Sequence, residues 1–345
     1  MAPRAKSTLM AELTPEQRKF VLKHRLLQIL DTLMHDFSGP AHHLSYIDQC
    51  QGDMGMIAMH YGRVQSVNNL LHCFLSPVVG SLSDSVGRRK LHAYGKLGPM
   101  LWFLGLIAMT KWYSAFPGSA AVRGRTLAFR FALEMVPWGT FMAGNWGLFA
   151  SQHADYFAEQ PELSARIQAA DNVWRDALGI PGSLFGAFVV PRLWNTRWRY
   201  LPWFLSAVTA GSQVLVALSI EETLPPAKRK KWTNQRLREA NPFSNIMLLL
   251  RNGPGLRGLT WAYTAFAASQ STWSIQSMYR LGPLGWTSGE QGYFEVPNNF
   301  VRSFCGDKLV PTPVNMYCLC LSLCLCVCVS LSVSVSVLHR VADIT

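Results

Sequence analysis

At 345 residues the chain is long enough for one large or two ordinary soluble domains, yet only 15% of it is Asp, Glu, Lys or Arg, against about 25% in typical soluble proteins. Apolar residues make up 49% and the mean hydropathy is +0.12, so any bilayer-spanning segments must be local concentrations. The net charge of +12 comes from cations clustered beside apolar segments, not from a stripe interleaved with aromatics, which argues against a nucleic-acid partner and for the Lys/Arg excess of cytoplasmic loops.

Taken in chain order, Lys or Arg at 4, 6, 18, 19, 23 and 25 mark residues 1–25 as a cytoplasmic N-terminal segment. It lacks the short charged region, uninterrupted apolar core and cleavage site of a removable signal peptide. Residues 26–220 then read as six spans. The weakest is Leu26 to Ile47, which carries Asp31, His35, Asp36, His42 and His43 around Gly39 and Pro40; it fits a first helix or an interfacial segment. Met56 to Val79 is interrupted by His60, Arg63 and His72, and Leu97 to Thr110 is the uncharged centre of the third span. Polar groups in such spans must face other protein. Met135 to Ala154 is the fourth, with Arg130 and Glu134 at its start. Ala177 to Val190 centres the fifth, with Asp171, Arg175 and Asp176 leading in. Tyr200 to Ile220 is the sixth and the most uniformly apolar.

Residues 221–257 follow as a basic cytoplasmic connector, with eight Lys or Arg from Lys228 to Arg257 against one acid. Gly258 to Tyr279 is a seventh span, long enough at about 20 residues to cross a hydrocarbon core; with the turn after it, it makes a segment 258–295. The positive-inside pattern holds at the N-terminus and after the second and sixth spans. It fails after the third and fifth, where Arg123, Arg125, Arg192, Arg197 and Arg199 would lie outside.

Segment 296–345 differs in kind. Tyr317 to Leu338 is built almost wholly of Cys, Leu, Ser and Val and holds five of the eight cysteines. Written as codons, Cys318 to Val337 collapses into a repeat with T at every second base, the rhythm of a microsatellite. We therefore expect a tail translated from non-coding sequence after Phe294, in a truncated product. Its cysteines match no zinc-site spacing.

The stretch Gly80 to Lys90, GSLSDSVGRRK, lies between the second and third spans. It resembles the signature loop of the major facilitator superfamily, G-x-L-S-D-R-x-G-R-R-K, matching every fixed position except Ser85. Glu222 to Pro225, the Asn-Pro-Phe run at Asn241 to Phe243 and LGWTSGEQGYF up to Phe294 resemble the sixth helix, and the run into and out of the seventh, in drug-efflux and tetracycline-resistance-like members. The resemblance implies an all-α, polytopic membrane bundle: the N-terminal six-helix half of a major facilitator fold plus about one helix of the second half. It also implies a secondary transporter of a small molecule working by alternating access, with proton-coupled efflux as one form of it. The alternative is a truncated, non-transporting membrane protein that at most pairs with full-length transporters.

Within that expectation, Gly80, Asp84, Gly87, Arg88, Arg89 and Lys90 are the gate loop. Gly80 would admit a close neighbouring helix, Gly87 a tight turn, and Asp84 would pair with Arg88 or meet a helix dipole. Arg130 matches the functional arginine that often opens the family's fourth helix; the plainer reading has it snorkelling to the interface with Glu134 as i,i+4 partner. Asp31, Asp36, Asp171 and Arg175 are further transport candidates, since a carboxylate in a bilayer is costly unless paired or wetted; Asp171 and Arg175 have the spacing of a helical ion pair. Gly179, Pro181, Gly182 and Gly186 partly resemble the antiporter motif that kinks and packs the fifth helix. His42, His43, His60 and His72 read as packing or interface residues and not as metal ligands. No catalytic, phosphate-binding or dinucleotide motif occurs, so neither enzyme activity nor a cofactor or metal is expected; the partners are the lipid bilayer and an unspecified small-molecule substrate.

Overall fold

The computed structural model describes residues 9–115 and 120–233, with scattered positions from 240 to 261. The predicted seventh span beyond residue 261, the turn after it, segment 296–345 and the side chain of Asp176 lie outside the described residues. Among the described residues there are helices and no strand. The long ones are α1 (Pro15–Gln49), α2 (Met54–Val86), α3 (Arg88–Ala115), α4 (Ala120–Leu133), α5 (Asn145–Tyr156), α6 (Pro161–Leu184) and α8 (Leu201–Ser219); α7 (Val190–Trp194) is a short extension. A π-helical stretch, Glu134–Thr140, follows α4 directly, and a second, Phe185–Val189, joins α6 to α7. The rods α4–α5 and α6–α7 thus complete six passes up and down the bundle.

Local chemistry sets the boundaries. Thr14 and Gln17 form a reciprocal capping box ahead of Pro15, which occupies the first helical turn where its missing N–H costs nothing. Asp53 accepts from Met56 N at 3.0 Å and starts α2. Gly87, at φ 107°, ends it. There the chain reverses within one residue in a conformation that side chains rarely adopt.

These limits correct the sequence reading. The first span is one helix of 35 residues, about 52 Å at 1.5 Å per residue, and begins well before Leu26. The fourth starts at Ala120, so Arg130 and Glu134 lie inside the rod and not at its mouth. The fifth starts at Pro161. Pro40, Pro77, Pro99 and Pro181 all sit inside helices, as they do inside the predicted spans.

Packing sorts into three levels. At the middle, Met34 and Ala41 of α1, Trp102, Phe103 and Leu106 of α3, and Trp203 and Ala207 of α8 form the main apolar core. Phe20, Ala93, Phe157, Ile167 and Ile220 close the end that carries the Gly80–Lys90 loop, hereafter the basic end. Tyr46, Cys50, Ile57 and Leu127 close the other. Among the described residues two helices, Pro161–Trp194 and Leu201–Ser219, are apolar and long enough to cross a membrane by length and composition; the other rods described carry buried polar residues.

Candidate functional site

The polar groups gather at three places. The first is the loop at the basic end. Three cations open α3, against the positive end of the helix dipole, and three carboxylates surround them. The Glu222 carboxylate accepts from Arg88 N at 2.9 Å and Arg89 N at 3.4 Å, and lies 3.6 Å from the Arg229 guanidinium. Arg88 reaches Asp84 at 3.3 Å, Ser83 Oγ at 3.1 Å and Asp155. Lys230 N donates to Asp84 O at 2.9 Å. Asp84 and Arg88 are the pair the spacing predicts, while Arg89 and Lys90 are exposed. A Cβ at Gly87 would strike Glu222, its Cδ at 3.1 Å, so turn and latch both need glycine there. Gly80 has nothing within 4 Å of a Cβ, contrary to the close helix contact expected of it.

The second place is an arginine cage in the half away from the basic end. Arg130 on α4 is 1% exposed. It donates to Ser45 Oγ at 2.8 Å and Gln49 Oε1 at 3.4 Å, lies 2.9 Å from His42 Nδ1, and its Cζ stands 3.4 Å from the Tyr46 ring centre. That burial rules out snorkelling. Glu134 is its i,i+4 neighbour as expected, but at 3.8 Å from Nε the contact is ionic without a hydrogen bond. His42 links both, with Nε2 3.8 Å from the same Glu134 oxygen. Trp102 and Trp138, 4.5 Å apart, and Tyr61 beside His42 wall the cage.

The third place is Asp31 of α1, bonded to Lys96 Nζ of α3 at 2.9 Å, with both residues 7% exposed. His35 Nδ1 lies 3.9 Å from the other Asp31 oxygen. Charge inside the bundle is therefore neutralised pair by pair, as burial demands. Asp171 follows the same rule across helices: it bonds Arg25 of α1 at 2.8 Å, in place of the predicted pair with Arg175. Asp36 is brought against the glycine face of α6. A Cβ at Gly182 would lie 2.6 Å from the Asp36 Cβ, and one at Gly186 2.8 Å from Asp36 O. A Cβ at Gly179 would meet Thr32 at 3.3 Å and Asp36 Oδ2 at 3.7 Å, and Pro181 lies within the same helix just before its π-helical stretch.

Sequence reasoning missed Lys96, His92, Tyr46, Asp155 and Glu222 as site residues. Lys96 stands just ahead of an uncharged run and reads as a flanking cation until α3 is seen to start at Arg88. Glu222 was visible only as part of a resemblance.

No protein-family model matches the chain, and neither does any curated protein. Among solved structures, the human organic anion transporter MFSD10 (TETRAN) is similar in fold, with TM-score 0.58 and 18% sequence identity over 86% of this chain and 72% of that one. Over the described residues the fold is accordingly an all-α helical bundle similar to that of this transporter.

Proposed function

We propose that the chain is part of a multi-pass membrane transporter of the major facilitator type, in the drug-efflux branch, which moves a small organic anion by alternating access coupled to protons. In this reading the N-terminal segment and the 221–257 connector lie in the cytoplasm. Residues 26–220 form the N-terminal half and 258–295 begin the second. Lipid contact is supported by the inverted polarity of α8: it buries Ser206 and Gln213 completely and exposes Phe204, Val208 and Leu215, the last at 70%. A water-soluble helix would do the reverse.

The observation that carries the substrate class is Arg130. A guanidinium buried to 1% exposure, held chiefly by neutral acceptors and an aromatic ring, with its carboxylate partner too far for a hydrogen bond, keeps the capacity to take a carboxylate or sulfonate in bidentate fashion. The organic anion named for the structurally similar human transporter agrees with that chemistry. Binding the anion would weaken the Arg130–Glu134 contact, which gives Glu134 a reason to take up a proton at the same time. Rocking of this half against its partner would then expose the cage to either side.

The test is reconstitution of residues 1–345 into proteoliposomes with an imposed pH gradient and labelled p-aminohippurate as the probe anion. Gradient-dependent movement, lost in Arg130→Ala, is expected. Movement no greater than in protein-free vesicles would instead make the chain a non-transporting membrane protein.

A further inference from the structure

Between α1, α3 and α5 in the half nearer the basic end lies a cavity of about 20 Å³, lined by Gln28, Asp31, His92, Lys96, Asn145 and Phe149 among others. A volume of that size holds about one water molecule. Three of the lining residues are each more than nine-tenths buried, and each has a polar atom with no hydrogen-bond partner in the protein: Gln28 Oε1, His92 Nε2 and Asn145 Oδ1. Buried polar atoms are costly unless bonded. His92 Nδ1 lies 2.8 Å from Gln152 Oε1; an amide oxygen only accepts, so Nδ1 carries the hydrogen and Nε2 the lone pair. Three acceptors thus converge beside the Asp31 carboxylate, whose Lys96 partner is already engaged. A water bound there would donate two hydrogen bonds to these acceptors.

A line of imidazoles runs towards it from the basic end. His24, fully buried and without a partner on either ring nitrogen, stands with its ring centre 5.7 Å from His153. His24 and His92 flank the same Phe149 ring. His153 Nδ1 is 3.0 Å from Ser164 Oγ and 3.3 Å from Nε2 of Gln168, and Gln168 is exposed.

We propose that this cavity is a hydrated proton-binding site, in which an ordered water joins His92 to Asp31 and the imidazoles of His153 and His24 lead protons to it from the basic end. In the terminal step the His92 imidazolium gives its Nε2 proton to the water, which passes one of its own to an Asp31 oxygen. His92 returns to its neutral form, the water is regenerated and Asp31 becomes a neutral carboxylic acid. Lys96 keeps its charge and loses its counter-ion, so the tie between α1 and α3 loosens. The charged and titratable groups facing Asp31 are Lys96 and His92 from α3 and His35 from its own helix. The site deepens the transport reading by adding a second protonation site apart from Glu134 in the arginine cage, and only its consequence rests on that reading.

The experiment uses residues 1–345 in lipid nanodiscs, with no gradient and no substrate, so it is decided whether or not the chain transports. Histidine C2 deuterium exchange, read by mass spectrometry, reports water access to each imidazole. His92 should exchange within about tenfold of the half-buried His72 despite its burial, and Asn145→Leu, which fills the cavity and removes an acceptor, should slow it about tenfold or more. Gln28→Leu, from a different helix, gives the same readout if Asn145→Leu fails to fold. Infrared difference spectra between acid and neutral pH should show a protonated carboxyl band that Asp31→Asn removes and Asn145→Leu weakens. Unchanged His92 exchange in the folded leucine variants, or a carboxyl difference spectrum that Asp31→Asn leaves unaltered, overturns the proposal.

Discussion

The carboxylate of Glu222 closes the N-terminus of α3 by accepting from the backbone of Arg88 at 2.9 Å, although 134 positions separate the two residues in the chain. The bond does for α3 what an N-cap side chain does locally, and it also offsets the dipole beneath three cations. Glu222→Ala should therefore destabilise the bundle by roughly 0.5–2 kcal/mol. Glu222→Gln, which keeps an acceptor and loses the charge, should cost about half as much. Thermal unfolding in detergent checks this, and equal melting temperatures for wild type and Glu222→Ala would refute the cap.

The two glycine sets predict opposite outcomes. Nothing stands within 4 Å of a Cβ at Gly80, and the residue is helical, so Gly80→Ala should be neutral or stabilise by up to about 1 kcal/mol through helix propensity. Gly182→Ala would drive a methyl into Asp36 and force α6 away from α1, at about 1–3 kcal/mol. A melting series that reverses this order would show that the α1–α6 contact is looser than described.

Asp31 and Lys96 share one hydrogen-bonded contact at 2.9 Å in the interior. Removing one partner leaves the other as a buried, unpaired charge, so Asp31→Leu or Lys96→Met alone should lower stability by about 3–5 kcal/mol, whereas the double variant should recover most of it. A double-mutant cycle on unfolding free energies measures the coupling. Additive losses would mean that the pair is already screened by water.

Much of this arrangement was legible in the sequence, and the reasons why the rest was not are physical. The loop from Gly80 to Lys90 could be read because a glycine turn, an acid and three cations in fixed order are local chemistry. The latch on it was harder, because Glu222 and Asp155 come from distant positions and only folding brings them to Arg88. Helix limits failed where the apolar signal stopped before the helix did. By charge alone Arg130 and Glu134 read as the mouth of a span, yet α1 supplies His42, Ser45 and Tyr46 to bury them. Spacing likewise pairs Asp171 with the neighbour in its own helix, whereas the fold brings it to Arg25 on α1.

Arg130 also distinguishes charge from geometry. Its fork engages Ser45, Gln49 and His42 at once while its plane lies 3.4 Å from the Tyr46 ring centre. Lysine would keep the charge and lose the planar fork and the stacking. Arg130→Lys should therefore cost about 1–3 kcal/mol of stability, and less than Arg130→Ala, which strands Glu134 as a buried carboxylate without its cation. Adding Glu134→Gln to Arg130→Ala should then restore part of the loss, because the stranded charge is gone. If Arg130→Lys melts like wild type, positive charge alone is what the cage requires; if the added Glu134→Gln restores nothing, the loss is one of packing, and the ionic contact at 3.8 Å contributes little to the fold.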